Sequence, residues 1–202
     1  MIDFVATFIS FFAVIDPIGT VPVFIALTRQ QDSRAKRRIA LIATLVSAVV
    51  LVFFVVAGEL ILTAMKIPLP AFQISGGIVL FLFALSMIFG ESKPEHEVKL
   101  ARSNSDTAIF PIAIPSIAGP GAMLTAVLLT ENARYTILEQ VQISLTMLSV
   151  LGVTCVLMLG ASWIHRFIGD SAASIISRVM GLILAAVGTS NTLAGIQKYF
   201  GL

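Results

Sequence analysis

The sequence predicts an all-α polytopic membrane protein of six transmembrane helices, arranged as a 3+3 inverted repeat with broken first and fourth helices. Three observations predict it. Of the 202 residues, 57% are hydrophobic and 12% charged, with a mean hydropathy of +1.00, far from the mixture of a water-soluble domain. Six apolar runs reach the roughly 20 residues that a hydrocarbon core about 30 Å thick asks of a helix. Two of these runs are interrupted by Pro and Gly at corresponding places, Asp16-Pro17-Ile18-Gly19-Thr20-Val21-Pro22 and Pro115-Ser116-Ile117-Ala118-Gly119-Pro120-Gly121.

The runs cover residues 4–28, 39–65, 69–89, 107–130, 141–164 and 175–197. Little chain is left outside them, so a single membrane domain over 1–202 is expected, without a separate soluble part. The start, Met1-Ile2-Asp3-Phe4, lacks the positive region of a secretory signal, so the first span is expected to be retained. Pro68 and Pro70 mark the turn before the third span, and Gly169-Asp170-Ser171 the turn before the sixth. No stretch alternates with period 2 over strand length, which argues against a membrane barrel. Cys155 is the sole cysteine and lies inside an apolar run. An intramolecular disulfide or a cysteine metal cluster is therefore excluded, and a packing role fits it.

Lys and Arg divide unevenly among the connections. Arg29, Arg34, Lys36, Arg37 and Arg38 crowd the first, Lys93, Lys99 and Arg102 fall in the third, and Arg166 and Arg178 flank the fifth; Lys66, Arg134 and Lys198 fall on the other side. By the positive-inside rule the odd connections face the cytoplasm and both termini the periplasm of a bacterial inner membrane. A net charge of +2 spent on topology leaves no case for nucleic acid; the bilayer is the expected partner, and a homo-oligomer is compatible with it.

Each half reads as a broken span, an unbroken span and a span with glycine in its first third. Ile15 to Pro22 aligns with Ile114 to Gly121, and Ser75-Gly76-Gly77-Ile78 with Val179-Met180-Gly181-Leu182. Three crossings per half is an odd number, so the second half runs through the bilayer in the opposite sense. Repeat one is placed at about 1–90, a solvated cytoplasmic linker at about 91–106, and repeat two at about 107–202.

Paired interruptions point to a substrate site, because irregular backbone survives at membrane depth only where it is buried in protein or lines a cavity. Prolines remove donors and turn the preceding residue away from the helical region. Thr20 is expected to cap a new half-helix with Val21 and Pro22 in its first turn, and Gly119, Pro120 and Gly121 to start the other. The amides at such N-termini suit a carboxylate, and the carbonyls of the preceding half-helices suit an ammonium group or small cation. The candidate substrate-binding residues are Asp16, Pro17, Gly19, Thr20, Pro22, Ser116, Gly119, Pro120 and Gly121. Gln73, Ser75, Thr125, Ser190 and Asn191 are secondary candidates, with interhelical hydrogen bonding as their alternative use; Ser177 and Thr189 share that reading. Asp16, the acidic residue near the middle of a span, is the candidate for coupling to a proton or sodium ion, with capping of the following helix as its structural alternative. No paired acids, Ser/His arrangement or metal cluster converges on a span, and no nucleotide-binding loop is present, so no catalytic residue, cofactor or metal is expected.

The sequences DPIGTVP at 16–22, IPSIAGPGAM at 114–123, FQISGGIVLFLFAL at 72–85 and VMGLILAAVGTSNTLAGI at 179–196 resemble the MarC family of bacterial inner-membrane proteins over essentially the whole chain. That family is similar to archaeal small neutral amino acid transporters and is placed in a LysE-like superfamily. The resemblance implies a six-span carrier of small neutral amino acids such as glycine or alanine. The expected function is thus secondary transport of a small zwitterionic solute by alternating access around the two breaks, rather than enzymatic work. A cation-conducting channel and a non-transporting membrane assembly factor are the competing readings.

Overall fold

The computed structural model describes residues 2–89, 107–164 and 170–201; the expected linker at 91–106 and most of the expected turn at 169–171 lie outside them or are described by backbone alone. The chain is all-α and polytopic. Its elements are α1 (Phe4–Ile15), α2 (Pro17–Thr28), α3 (Ser33–Ala64), α4 (Leu69–Phe89), α5 (Ala108–Ile117), α6 (Pro120–Leu128), α7 (Ile137–Leu159), the short α8 (Ala161–Ile164) and α9 (Asp170–Phe200).

Local chemistry sets the boundaries. The Asp3 carboxylate accepts from Ala6 N–H to start α1, and that of Asp32 accepts from Ala35 N–H to start α3, each supplying an acceptor to a first-turn donor. Thr136 and Glu139 form a reciprocal capping box on α7,. At the far end of α3, Lys66 takes a left-handed φ of 57°. Lys66 N–H bonds to Thr63 O and Ile67 N–H to Leu62 O, which is the Schellman closure of a helix end.

α1 and α2 continue as one 25-residue span, α3, α4, α7 and residues 175–200 of α9 are each long and apolar enough to cross a bilayer, and α5 with α6 makes a sixth crossing if its 56° bend is taken as one broken span. The faces are sorted as lipid requires. On α3 the exposed residues include Leu41, Leu45, Val49, Val56 and Leu60, whereas the buried ones include Ala40, Ala43, Ser47 and Gly58. Leu51 and Leu62 are buried too, but most of the inward positions are small or hydroxyl-bearing and many large apolar side chains point outward, because apolar burial between helices gains little when the solvent is itself hydrocarbon.

The tightest pairing is α4 with α9. A Cβ at Gly188 would stand 2.8 Å from both Gly77 O and Phe81 N, one at Gly181 3.1 Å from Ala84 O, and one at Gly195 3.0 Å from Pro70 O. Later residues of α9 therefore meet earlier residues of α4, so the two helices run antiparallel with their backbones in near contact. Gly77 and Gly181 are 104 residues apart, as are Ala84 and Gly188, and that shift turns the Gly77–Gly188 contact into the Gly181–Ala84 contact. Other helix contacts pair off in the same way. α1 and α2 pack on α7 as α5 and α6 pack on α3; α4 packs on α6 as α9 packs on α2; α1 meets α6 as α2 meets α5. Equivalent third helices that run antiparallel about such an exchange are the arrangement of an inverted repeat.

Candidate functional site at the two helix breaks

The first break is a single residue wide. Asp16 adopts φ 52°, ψ 63° and serves at once as the end of α1 and the cap of α2. Its N–H bonds back to Phe12 O, and its Oδ1 accepts from Gly19 N–H at 3.0 Å. Asp16 is 1% exposed. Pro17 occupies the first helical position, where a missing N–H costs nothing. Gly19 is required because a Cβ there would collide with the Asp16 carboxylate. Thr20 does not cap α2 as the sequence suggested; its hydroxyl donates to Asp16 O at 2.9 Å. The reason is chain geometry: the left-handed turn at Asp16 ends α1 four residues before the expected cap. Pro22 accordingly lies inside α2, half-buried, rather than in its first turn.

The second break is longer and differently made. Within α5, Phe110 and Ile114 have extended backbone angles and each precedes a proline in a cis peptide bond. The turns are wide, and Ala118 N–H closes onto Ala113 O at 2.8 Å. Gly119 then caps α6 with Pro120 at its first position and, as glycine, supplies no side-chain cap. Gly119 lies so close to Pro115 that a Cβ there would stand 2.7 Å from its carbonyl oxygen. Ser47 of α3 donates to Ala113 O at 3.3 Å as well as to Ala43 O. Sequence reasoning passed over Ser47; its signal is a hydroxyl flanked by Ala40 and Ala43 on the buried stripe of an otherwise apolar span.

The two breaks meet. Thr20 Oγ1 and Ser116 Oγ are 3.4 Å apart, and both residues are buried. Helix caps also correct the alignment of the halves: Asp16-Pro17 corresponds to Gly119-Pro120, a shift of 103 rather than the 99 expected from Ile15 and Ile114. At equivalent positions one repeat thus carries an Asp whose side chain caps its own helix, and the other a glycine that supplies no side-chain cap. One break carries a carboxyl group; the other presents the positive end of a helix.

Asp16, Pro17, Gly19, Thr20, Ser116, Gly119 and Gly121 are buried around this junction, while Pro120 is exposed. Thr125 and Gln73 are buried, Asn191 is half-buried, and Ser75 and Ser190 are exposed. Exposure removes Ser75 and Ser190 from the buried junction: each lies beside a glycine-lined contact face but points away from it. A groove of about 440 Å³ lies elsewhere, on the outer face of α3, lined by Ala48, Val49, Val52, Phe53, Val56 and Ala57, and its apolar lining matches lipid rather than a polar solute.

Fold and junction together define a polytopic helical membrane protein with two interrupted spans meeting inside the bundle. The model of the MarC family of integral membrane proteins matches residues 1–200, and the chain belongs to that family. It is 32% identical over 199 residues to a UPF0056 membrane protein of Aquifex aeolicus, covering 96% of this chain and 92% of the relative. It is 33% identical over 197 residues to one from Methanocaldococcus jannaschii, covering 96% of each. The UPF0056 inner membrane protein YhgN of Escherichia coli K12 is 29% identical over 199 residues, 98% of each chain. No solved structure matches.

Proposed function

We propose that the protein is a secondary transporter of small neutral amino acids, of the glycine or alanine type, in the bacterial inner membrane, with both termini periplasmic and no enzymatic activity. The observation that carries this reading is the Thr20–Ser116 contact, which joins the break holding the buried Asp16 side chain to the break where α6 starts at Gly119 and Pro120. Such a junction offers a carboxyl group to an ammonium and helix N-terminal amides to a carboxylate, and the glycines at 19, 119 and 121 fit the choice of a solute with a small side chain. Asp16 faces the ammonium and couples the cycle by exchanging a proton or sodium ion, the role that intramembrane acidic residues commonly mark. Rocking of one repeat against the other alternates access from the two faces. The inner membrane is supported by the Escherichia coli relative, which is named an inner membrane protein, and the orientation by the basic first connection,.

Counterflow of labelled glycine and alanine in proteoliposomes tests the proposal. Saturable exchange that responds to a proton or sodium gradient in the parent, and loses that response in Asp16→Asn, is the expected outcome. No saturable exchange of any small amino acid would remove the reading.

A further inference from the structure

Among the described residues, two buried side-chain polar atoms have no hydrogen-bond partner: Gln73 Oε1 and Ser177 Oγ. Gln73 is 7% exposed and Ser177 0%. A buried polar atom without a partner carries a desolvation cost that packing does not return. The two residues are 104 positions apart, the shift that carries Gly77 onto Gly181 and Ala84 onto Gly188. The same site of the repeat is therefore left unpaired twice.

Their surroundings give that site a meaning. On α4, Gly76 lies against Leu124 of α6, and Gly77 against Gly188 and Thr192 of α9; Gln73, one turn earlier, falls on the helix face between those two neighbours. A seam leads there from the second break: Gly121 lies on Leu80, Leu124 lies on Gly76, and Gln73 follows about 10 Å beyond Leu80 at 1.5 Å per residue. Ser177 holds the corresponding place on α9, one turn before Gly181, which lies against Ala84 and Ile88 of α4, and α9 also packs on α2. Because α4 and α9 are antiparallel, Gln73 is level with Thr192, and so about 22 Å along the axis from Ser177. They do not share one cavity; they stand at opposite ends of the bundle.

We propose that Gln73 and Ser177 are equivalent polar gate residues, one toward each membrane face, and that each receives water or the hydrogen-bonding end of a small polar solute when its own seam opens, α4–α6 for Gln73 and α9–α2 for Ser177. This rests on the alternating-access reading above. Hydrogen-bonded glue between helices does not account for them, since neither atom is bonded. A polar atom kept unpaired at matching ends of two symmetric seams is accounted for by a partner that comes and goes with opening.

Cys155→Ser leaves the chain without cysteine, so Gln73→Cys and Ser177→Cys can each be probed singly in oriented proteoliposomes with a membrane-impermeant maleimide applied from either side. The expected result is reaction of Gln73→Cys from one face only and of Ser177→Cys from the opposite face only. Reaction of both from the same face, or of neither from any face, overturns the gates whatever uptake shows. If the parent exchanges no small amino acid while the labelling is opposite-sided, the gates stand and the solute reading falls. Gln73→Leu separates the gate from a structural role: the melting temperature is expected to hold or rise while glycine uptake, where the parent shows it, falls at least tenfold. A fall in melting temperature with uptake intact would give Gln73 a structural role and overturn the proposal.

Discussion

Asp16 holds three jobs with one side chain, and they can be separated by substitution. Its left-handed backbone ends α1, its Oδ1 caps α2 through Gly19 N–H, and its acidic group sits buried in the middle of a span. Asparagine tolerates the left-handed region and caps as well as aspartate does, whereas alanine does neither. Asp16→Asn should therefore stay within about 0.5 kcal/mol of the parent, as exchange between good caps does. Asp16→Ala should lose roughly 2 kcal/mol from the missing cap and the strained φ, read as a shift in detergent-unfolding midpoint. Equal losses in both variants would mean that the carboxylate charge, rather than its geometry, holds the break. Gly19→Ala belongs to the same test. Its Cβ meets the Asp16 carboxylate, so it should push that group off Gly19 N–H and cost about 1–2 kcal/mol, like the loss of a cap, although alanine is ordinarily the better helix former.

At the scale of elements, the α4–α9 pair decides how the halves are joined, and its glycines are positions where side chains have no room. Gly188→Val would drive a side chain into Gly77 O and Phe81 N, while Gly152 on α7 has nothing within 4 Å of a Cβ. The first substitution should cost about 1–3 kcal/mol or separate the helices, as overpacking does; Gly152→Val should change the unfolding midpoint little. Similar effects at both sites would contradict the packing described. This pairing also shows what was legible in the sequence. The six apolar runs, the breaks at Asp16-Pro17 and Gly119-Pro120, and the match of Gly77 with Gly181 follow from composition and backbone chemistry, which act locally. The register of the breaks was not legible, because the left-handed turn at Asp16 moves the cap four residues from Thr20, and a turn of that kind is decided by tertiary packing. The inequality of the two breaks was legible only as one of two readings of Asp16: capping of the following helix was its structural alternative, and the coordinates show the side chain folding back on Gly19 N–H. The exposure of Ser75 and Ser190 was not legible for a similar reason, since adjacency to a packed glycine does not say which way the next side chain points.

For the whole molecule, the junction of Thr20 and Ser116 ties repeat one to repeat two at the place where a solute would sit, so fixing it should stop any cycle that moves one repeat against the other. Their Oγ atoms are 3.4 Å apart, about 1.4 Å longer than a disulfide of roughly 2.05 Å, a gap that small rotations of two short side chains can close. Thr20→Cys with Ser116→Cys in a Cys155→Ser background should cross-link under mild oxidation within a single chain. The oxidised protein should lose exchange of glycine and alanine, regain it on reduction, and melt at a temperature no lower than the reduced form. Each single-cysteine variant should ignore the oxidant. Efficient cross-linking with undiminished exchange would mean that the two breaks do not part during the cycle, and that solute passes by some route other than their junction. Failure to cross-link in the folded protein would place the breaks farther apart than the hydroxyl contact implies. The two failures are distinguishable on a gel before any flux is measured, so the geometry and the function built on it stand or fall separately.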